Sequence, residues 1–565
     1  MTRNRILVLG GLILIIGLVW VLWIRPRQVD MAQFAPAGSL LYLEVNHPVE
    51  VVRVLGTTDV GKLLGQIGIV APLSPSSSVW QKLVRITGVG PVDSVIMARS
   101  QVAVVVTNFE AAESGETLNV KPEAAMIVQT HTSENRIRDA FERRLETLVR
   151  ATYLDPKIEH TTAGGVNFVE WRETHGRGRL IAAFLGSIVI IGNSRKVVDA
   201  CLAVARRDAP SLRSSLELQN ARVSSDAANA LVFGYVPSSE SPKLISVGIP
   251  ILFGSAPGNR DFLHLAQNAT SKIIGTLTWT SRPIRGGIED RYSIGLQRDV
   301  VDQLRPAFGP ARLRSSSGVS TDFYSITEYN LEAPLLAWQT MRSSVSGRLD
   351  VLAAVVFNET LRNSLTSYGI HTPESFLSAV ESPIKTLRLD EEGQRQLLVA
   401  SVRDRMKLAH VFNKMRAKGN HAQNGDLSIM ENVDGTLGVT LSDSLVVIGH
   451  PVDVQNYHRI AASAVDGNKQ FSRVDDFVES ADRSHVVTLT NDAERVRDSM
   501  SAVLKSYHRE FPAELNERIA ALPFATTQTT LTADGLLRVT RSPLGQFSSI
   551  IPILLSNRRT AEAPR

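Results

Sequence analysis

Gly178–Asn193 reads GRLIAAFLGSIVIIGN and Gly435–His450 reads GTLGVTLSDSLVVIGH, and the likeness of these two stretches decides the architecture. Gly178, Leu180, Ser187, Val189, Ile191 and Gly192 recur at Gly435, Leu437, Ser444, Val446, Ile448 and Gly449 without a gap. Self-similarity of this kind marks a duplicated unit. In the first copy, Leu180–Leu185 and Ile188–Ile191 are apolar runs separated by Gly186 and Ser187, which predicts a β-hairpin.

Working outward, each copy is followed by two helix-like stretches, 194–207 and 212–221 in the first, 451–464 and 472–481 in the second. A short strand comes next, ALVFGYV from Ala230 and HVVTLTN from His485. Upstream, AAMIVQT from Ala124 precedes a helix carrying Phe141, and QLLVASV from Gln396 precedes one carrying Phe412. Downstream, IIGTLTWTS from Ile273 with RYSIGL from Arg291 matches TTQTTLTAD from Thr526 with LLRVTRS from Leu536. In the helix over 136–147 and its continuation, Ile137, Phe141, Leu145 and Leu148 share a face that must be buried.

Adjacent strands joined by short turns imply antiparallel pairing, because parallel neighbours need a crossover of a dozen or more residues. The expected fold class is therefore α+β: two tandem homologous, mainly antiparallel lobes over 36–307 and 316–545. Gly309, Pro310 and the RSSSG run at Arg314–Gly318 give the join, 308–317, the composition of a linker.

An N-terminal transmembrane helix is expected ahead of the lobes. Residues 6–24 carry no charge and are almost wholly apolar, with Ile6, Leu12, Leu18, Trp20, Trp23 and Ile24 marking the run. As a helix it would be about 28 Å long, close to the ~30 Å of a bilayer's hydrocarbon core. Trp20 and Trp23 sit near one end, where aromatic rings favour the membrane interface. Arg25, Pro26, Arg27 and Gln28 follow in place of a small-x-small cleavage site, which favours an uncleaved anchor over a cleaved signal peptide. Residues 1–5 then form a cytoplasmic leader and 25–35 a juxtamembrane linker. Arg25 and Arg27 nearly balance Arg3 and Arg5, and the terminal amine tips the orientation toward export of the bulk of the chain.

Charge excludes little more. The net charge of +5 comes from 61 basic and 56 acidic residues, too small an imbalance to call for a polyanionic partner, and no nucleic-acid partner is expected. Hydrophobic residues are 43% of the 565 and charged residues 21%, a composition that folds. The lone Cys201 allows no internal disulfide and reads as a small buried hydrophobe.

No constellation declares a chemistry. Gly56-Thr57-Thr58-Asp59-Val60-Gly61-Lys62-Leu63 has the spacing of a phosphate loop, but Leu63 stands where a hydroxyl should hold magnesium, and a helix cap or turn is the reading. Twelve histidines form no His-Glu-x-x-His pair, and His450 and His458 flank a helix start without a third ligand. No Gly-x-Ser-x-Gly elbow occurs. Catalytic residues, metal and cofactor are accordingly all expected to be none. Two apolar strings, Ile249-Pro250-Ile251-Leu252-Phe253 and Ile551-Pro552-Ile553-Leu554, are candidate interaction segments, the second within an apolar segment and tail over 546–565. Ordinary core packing is the plainer alternative for both.

FAPAGSLLYLEVN from Phe34, IVIIGNS and LVVIGHP in the two copies, and SPLGQFSSIIPIL from Ser542 together resemble a group of bacterial membrane-anchored proteins defined by a domain of unknown function. The resemblance implies a bacterial, extracytoplasmic location at the inner membrane and carries over no catalytic residues. The expected function is binding, scaffolding or chaperone-like work in the cell envelope, with the membrane and an envelope protein or apolar ligand as partners. An envelope hydrolase with dispersed catalytic residues is the alternative.

Overall fold

The computed structural model describes residues 28–67, 96, 99–114, 117–153, 155–174, 178–245, 272–308, 323–349, 351–363, 365–413, 415–417, 429–464, 484–506 and 509–556. In the first half the strands are β1 (Leu41–Val45), β2 (Gln101–Ser114), β3 (Thr117–Gln129), β4 (Pro156–Ala163), β5 (Val166–Glu173), β6 (Arg179–Leu185), β7 (Ile188–Gly192), β8 (Val232–Val236), β9 (Ile274–Ile284) and β10 (Gly287–Leu296). The second half supplies β11 (Ser325–Tyr329), β12 (Val380–Arg388), β13 (Gln396–Val402), β14 (Arg416–Ala417), β15 (Ile429–Glu431), β16 (Gly438–Leu441), β17 (Leu445–Gly449), β18 (Val486–Thr490), β19 (Ala525–Leu531) and β20 (Gly535–Ser542).

All strand pairings among the described residues are antiparallel. In the first half they run β4-β5-β6-β7-β3-β2-β1-β8-β9-β10. In the second they run β14-β15-β16-β17-β13-β12-β11-β18-β19-β20, the same order element for element. β10 then pairs β20 from Ile288 opposite Ser542 to Gly295 opposite Gly535. Among the described residues the result is one continuous 20-stranded sheet that reads the same from either end.

This corrects the expectation of two separate lobes behind a membrane-spanning helix. The ladder between β10 and β20 merges the copies into a single sheet, so the duplication produces an internal pseudo-dimer. Counted from Gly287 and Gly535, the first residues of β10 and β20, Asp290 corresponds to Arg538 and Tyr292 to Thr540. The pairs Asp290–Thr540 and Tyr292–Arg538 are therefore images of each other, and Arg291 opposite Val539 is the pair that maps onto itself. Among the described residues no helix is long and apolar enough to cross a membrane, and the run 6–24 lies outside them.

Alternating side chains divide the core between the two faces of the sheet. On the first face Tyr42, Ile127, Ile190, Phe233 and Tyr235 pack under α4 (Arg195–Ala205) and α5 (Leu216–Ser224), which follow α1 (Pro48–Thr57), α2 (Asp59–Gln66) and α3 (Glu134–Thr152) in the chain. On the opposite face Val128, Trp171, Phe184 and Val189 pack under α3. Each large side chain buried this way stabilises the fold by about 1.5–3 kcal/mol. Ile137, Phe141 and Leu145 of α3 pack on the sheet as the sequence reading expects, but its fourth member is corrected: Val149 is buried while Leu148 is exposed. With 3.6 residues per turn, the contact stripe through Ile137, Phe141 and Leu145 continues at the i+4 position.

Helices interlock the halves a second time. Val60 and Leu64 of α2 pack with Val496, Met500 and Leu504 of α6 (Ala493–Ser506) and with Leu515 and Ile519 of α7 (Glu514–Ala520). Val51 and Val54 of α1 join Ile288 and Phe547, the latter opening α8 (Phe547–Ser556). The glycine-rich stretch at 56–63 lies at the break between α1 and α2. There the Thr58 hydroxyl accepts from the Gly61 amide at 3.0 Å, so the amide that a phosphate would need is already capped.

Candidate functional site

A pocket of about 580 Å³ opens on the first half, lined by Gln28, Val29, Asp30, Glu44, Asn46, Arg222, Val223, Asp226, Ala227 and Ala228. β1 supplies Glu44, which alternation places on the buried face with Tyr42; α5 supplies Arg222 and Val223. The entering chain at 28–30 forms one wall. It is pinned by Gln101 of β2, whose Oε1 accepts from the Val29 amide at 2.8 Å and whose Nε2 donates to the Val29 carbonyl at 2.9 Å and to Asn46 Oδ1 at 2.8 Å. One side-chain amide thus acts like a strand partner for the incoming backbone.

Arg222 is the centre of the charge network. Its Nη1 donates to Asp30 Oδ1 at 3.0 Å and its Nη2 to Glu44 Oε2 at 2.6 Å. The Tyr42 hydroxyl donates to the same Glu44 oxygen at 2.6 Å. Burial works against the Arg222 charge, but Glu44, Tyr42 and Asp30 outweigh it and raise its pKa. Burial first, and then the Glu44 carboxylate, push the Tyr42 phenol well above its ordinary range. Two arginines that are not among the lining residues complete the network: Arg213 approaches Asp30 at 3.4 Å and Arg282 approaches Asp226 at 2.9 Å. These groups can bind and orient a polar molecule. A phenol held in its protonated form and a carboxylate already bonded to two donors are poorly placed to abstract a proton.

A second concavity of about 380 Å³ lies in the other half, lined by Tyr368, Arg395, Thr436, His450 and Asp453 among others. Arg395 Nη2 donates to Asp453 Oδ1 at 2.5 Å, and only 3% of the Asp453 side chain is exposed. His450 is exposed at the end of β17, while His458 bonds Thr440 Oγ1 at 2.7 Å and burial lowers its pKa. Among the described residues no group of three or more His, Cys, Asp or Glu could hold a metal.

The structure places the candidates read from the sequence as follows. Ile6, Leu12, Leu18, Trp20, Trp23 and Ile24, together with Ile249, Pro250, Ile251, Leu252 and Phe253, lie outside the described residues. Ile551 and Pro552 fall in α8, where Ile551 packs against the Val51, Val54 and Ile288 cluster. Ile553 and Leu554 belong to the same helix. Sequence reasoning missed the pocket because Asp30, Glu44, Asn46 and Arg222 come from three distant segments. One signal was available: Glu44 is the charged residue on the buried side of an otherwise apolar LYLEV strand. Comparison of the chain with protein-family models, characterised proteins and solved structures returns no match.

Proposed function

We propose that the chain works by binding, as a scaffolding or chaperone-like component of the bacterial cell envelope, with its bulk outside the cytoplasm. The observation that carries this reading is the seam between β10 and β20, reinforced by the packing of α1 and α2 against α6, α7 and α8. Two copies welded this way make a stiff platform, suited to holding a partner in fixed geometry rather than closing over a substrate. The envelope location is supported by the apolar run at 6–24 and by the resemblance of the flanking motifs to membrane-anchored bacterial proteins.

Crosslinking of the full chain in its native membrane, followed by mass spectrometry, tests the reading. Reproducible capture of one envelope protein is expected. No partner, together with measurable turnover of an ester or peptide, overturns it. Protease access to a C-terminal tag in intact cells tests the location, and protection of the tag would place the bulk inside.

A further inference from the structure

We propose that β4, the outer strand of the first half, pairs antiparallel with β4 of a second copy of this chain and so extends the sheet across a two-fold axis. Among the described residues β4 is laddered only to β5. Ala163 and Val166 flank the two-residue turn Gly164-Gly165 and form a hydrogen-bonded pair, and the ladder alternates from there. At the other end the Glu173 amide donates to the Gly178 carbonyl at 2.9 Å, away from β4, so its partner Pro156 also turns its backbone outward. The outward backbone groups are therefore those of Pro156, Ile158, His160 and Thr162. Lys157, Glu159 and every residue from His160 to Ala163 are exposed. Such a row of open N–H and C=O groups is a template for another strand.

Charge selects both the partner and the register. With the two-fold axis along the sheet normal and centred on Ile158, Lys157 stands opposite Glu159 of the second copy, and Glu159 opposite its Lys157. Both pairs fall at non-hydrogen-bonded positions, where side chains approach most closely. Ile158, which packs beside the Trp171 and Phe184 cluster, meets Ile158 of the second copy and continues that apolar layer. Centring on Glu159 would set that carboxylate against itself. Centring on His160 would leave Lys157 opposite Ala163 and Glu159 opposite Thr161, with no charge paired. The same solution already holds inside the chain, where Glu289 of β10 faces Arg541 of β20 and accepts from it at 2.8 Å. The outer strand of the second half, β14, spans only Arg416–Ala417. Each chain thus presents one long open edge among the described residues, and the assembly closes as a dimer instead of growing into a filament. The pairing does not depend on the scaffolding reading.

Sedimentation velocity of the full-length chain in detergent is the test, with a dimer expected at about 10 μM chain. Lys157→Glu or Glu159→Lys alone brings like charges together at both pairs and should weaken the dimer about tenfold or more. The double swap, Lys157→Glu with Glu159→Lys, should restore it. Ile158→Pro removes an outward amide but no bond to β5, and should abolish the dimer while the chain keeps its cooperative thermal transition. If Ile158→Pro fails to fold, the charge variants decide alone. A monomeric wild type, an open-ended assembly, a dimer undiminished by Ile158→Pro, or a double swap no tighter than either single variant overturns the proposal.

Discussion

Glu289 and Asp290 are neighbours in β10 whose carboxyl groups lie on opposite faces of the sheet and are shifted in opposite directions. Burial raises Glu289, but hydrogen bonds from Arg541 and Arg291, at 2.8 and 2.6 Å, outweigh it and hold the carboxyl below its usual range. Burial dominates at Asp290 and raises it, although Trp279 Nε1 and the Gln546 amide each donate to it at 2.9 Å. Both residues tie the halves together, Glu289 through Arg541 of β20 and Asp290 through the amide that leads into α8.

Opposite shifts give opposite pH slopes. A lowered carboxyl contributes stability that is present above its unfolded pKa and is lost as pH falls through the folded value. A raised one contributes stability that is full below the unfolded pKa and is lost as pH rises through the folded value. Urea midpoints recorded across the acidic range should therefore differ between variants: Glu289→Gln weakens the loss of stability toward low pH, and Asp290→Asn weakens the loss toward neutral pH. Identical slopes in the two variants would contradict the assignment.

The seam also depends on a glycine. Gly535 opens β20 at φ +141°, and a Cβ there would stand 2.1 Å from the Ile294 carbonyl oxygen across the seam. Gly535→Ala should cost about 3 kcal/mol, from backbone strain and a clash that rigid backbone cannot relieve. Gly165→Ala is the control, because its φ is +74° but nothing lies within 4 Å. It should cost about 1 kcal/mol. Chemical denaturation of both variants checks the difference, and equal losses would mean that the close approach is unimportant.

One ion pair is conserved in place but inverted in sign. Glu123 stands two residues before Ala125, the partner of Gly192, and Arg395 stands two before Leu397, the partner of Gly449. Glu123 meets Lys196 of α4 at 3.3 Å, whereas Arg395 meets Asp453 of the helix Pro451–Ala464. The geometry accepts either polarity. Arg395→Glu alone should destabilise by about 2 kcal/mol, since it sets a like charge beside buried Asp453. Arg395→Glu with Asp453→Lys, which copies the first-half arrangement, should recover most of the loss. A double variant as unstable as the single one would show that the surroundings fix the polarity.

Cys201 offers a probe of opening. It is fully buried under the first face of the sheet, and burial pushes its thiol up to about 12. A thiol reagent should leave the native chain unlabelled at neutral pH and modify one site in denaturant. Rapid labelling without denaturant would show that α4 lifts from the sheet.

Much of the local structure was legible in the chain. The β-branched and aliphatic runs at 180–185 and 188–191 could form little but a hairpin, and the gapless recurrence at 437–448 identified the second one. The strands and helices that the sequence analysis names around the two hairpins followed from apolar periodicity, which depends on neighbours in sequence; β4, β5 and β12 were not read. The misplacement of Leu148 on the buried face of α3 came from the same source, because after Leu145 both the i+3 and the i+4 position continue the stripe and only packing against Trp171 and Val189 selects Val149.

By itself the sequence determined that this protein is a duplicated, antiparallel α+β chain with strands at recognisable places. Whether the copies stay apart or fuse was decided only by tertiary structure. β10 and β20 carry charged residues on both faces, Glu289, Asp290, Arg291, Arg538 and Arg541 among them, a pattern that local alternation reads as an exposed edge. Backbone ladders carry no side-chain code, so nothing in either edge announces its mate. Pairing became visible when Arg541 was found on Glu289 and the Gln546 amide on Asp290, contacts between residues some 250 positions apart.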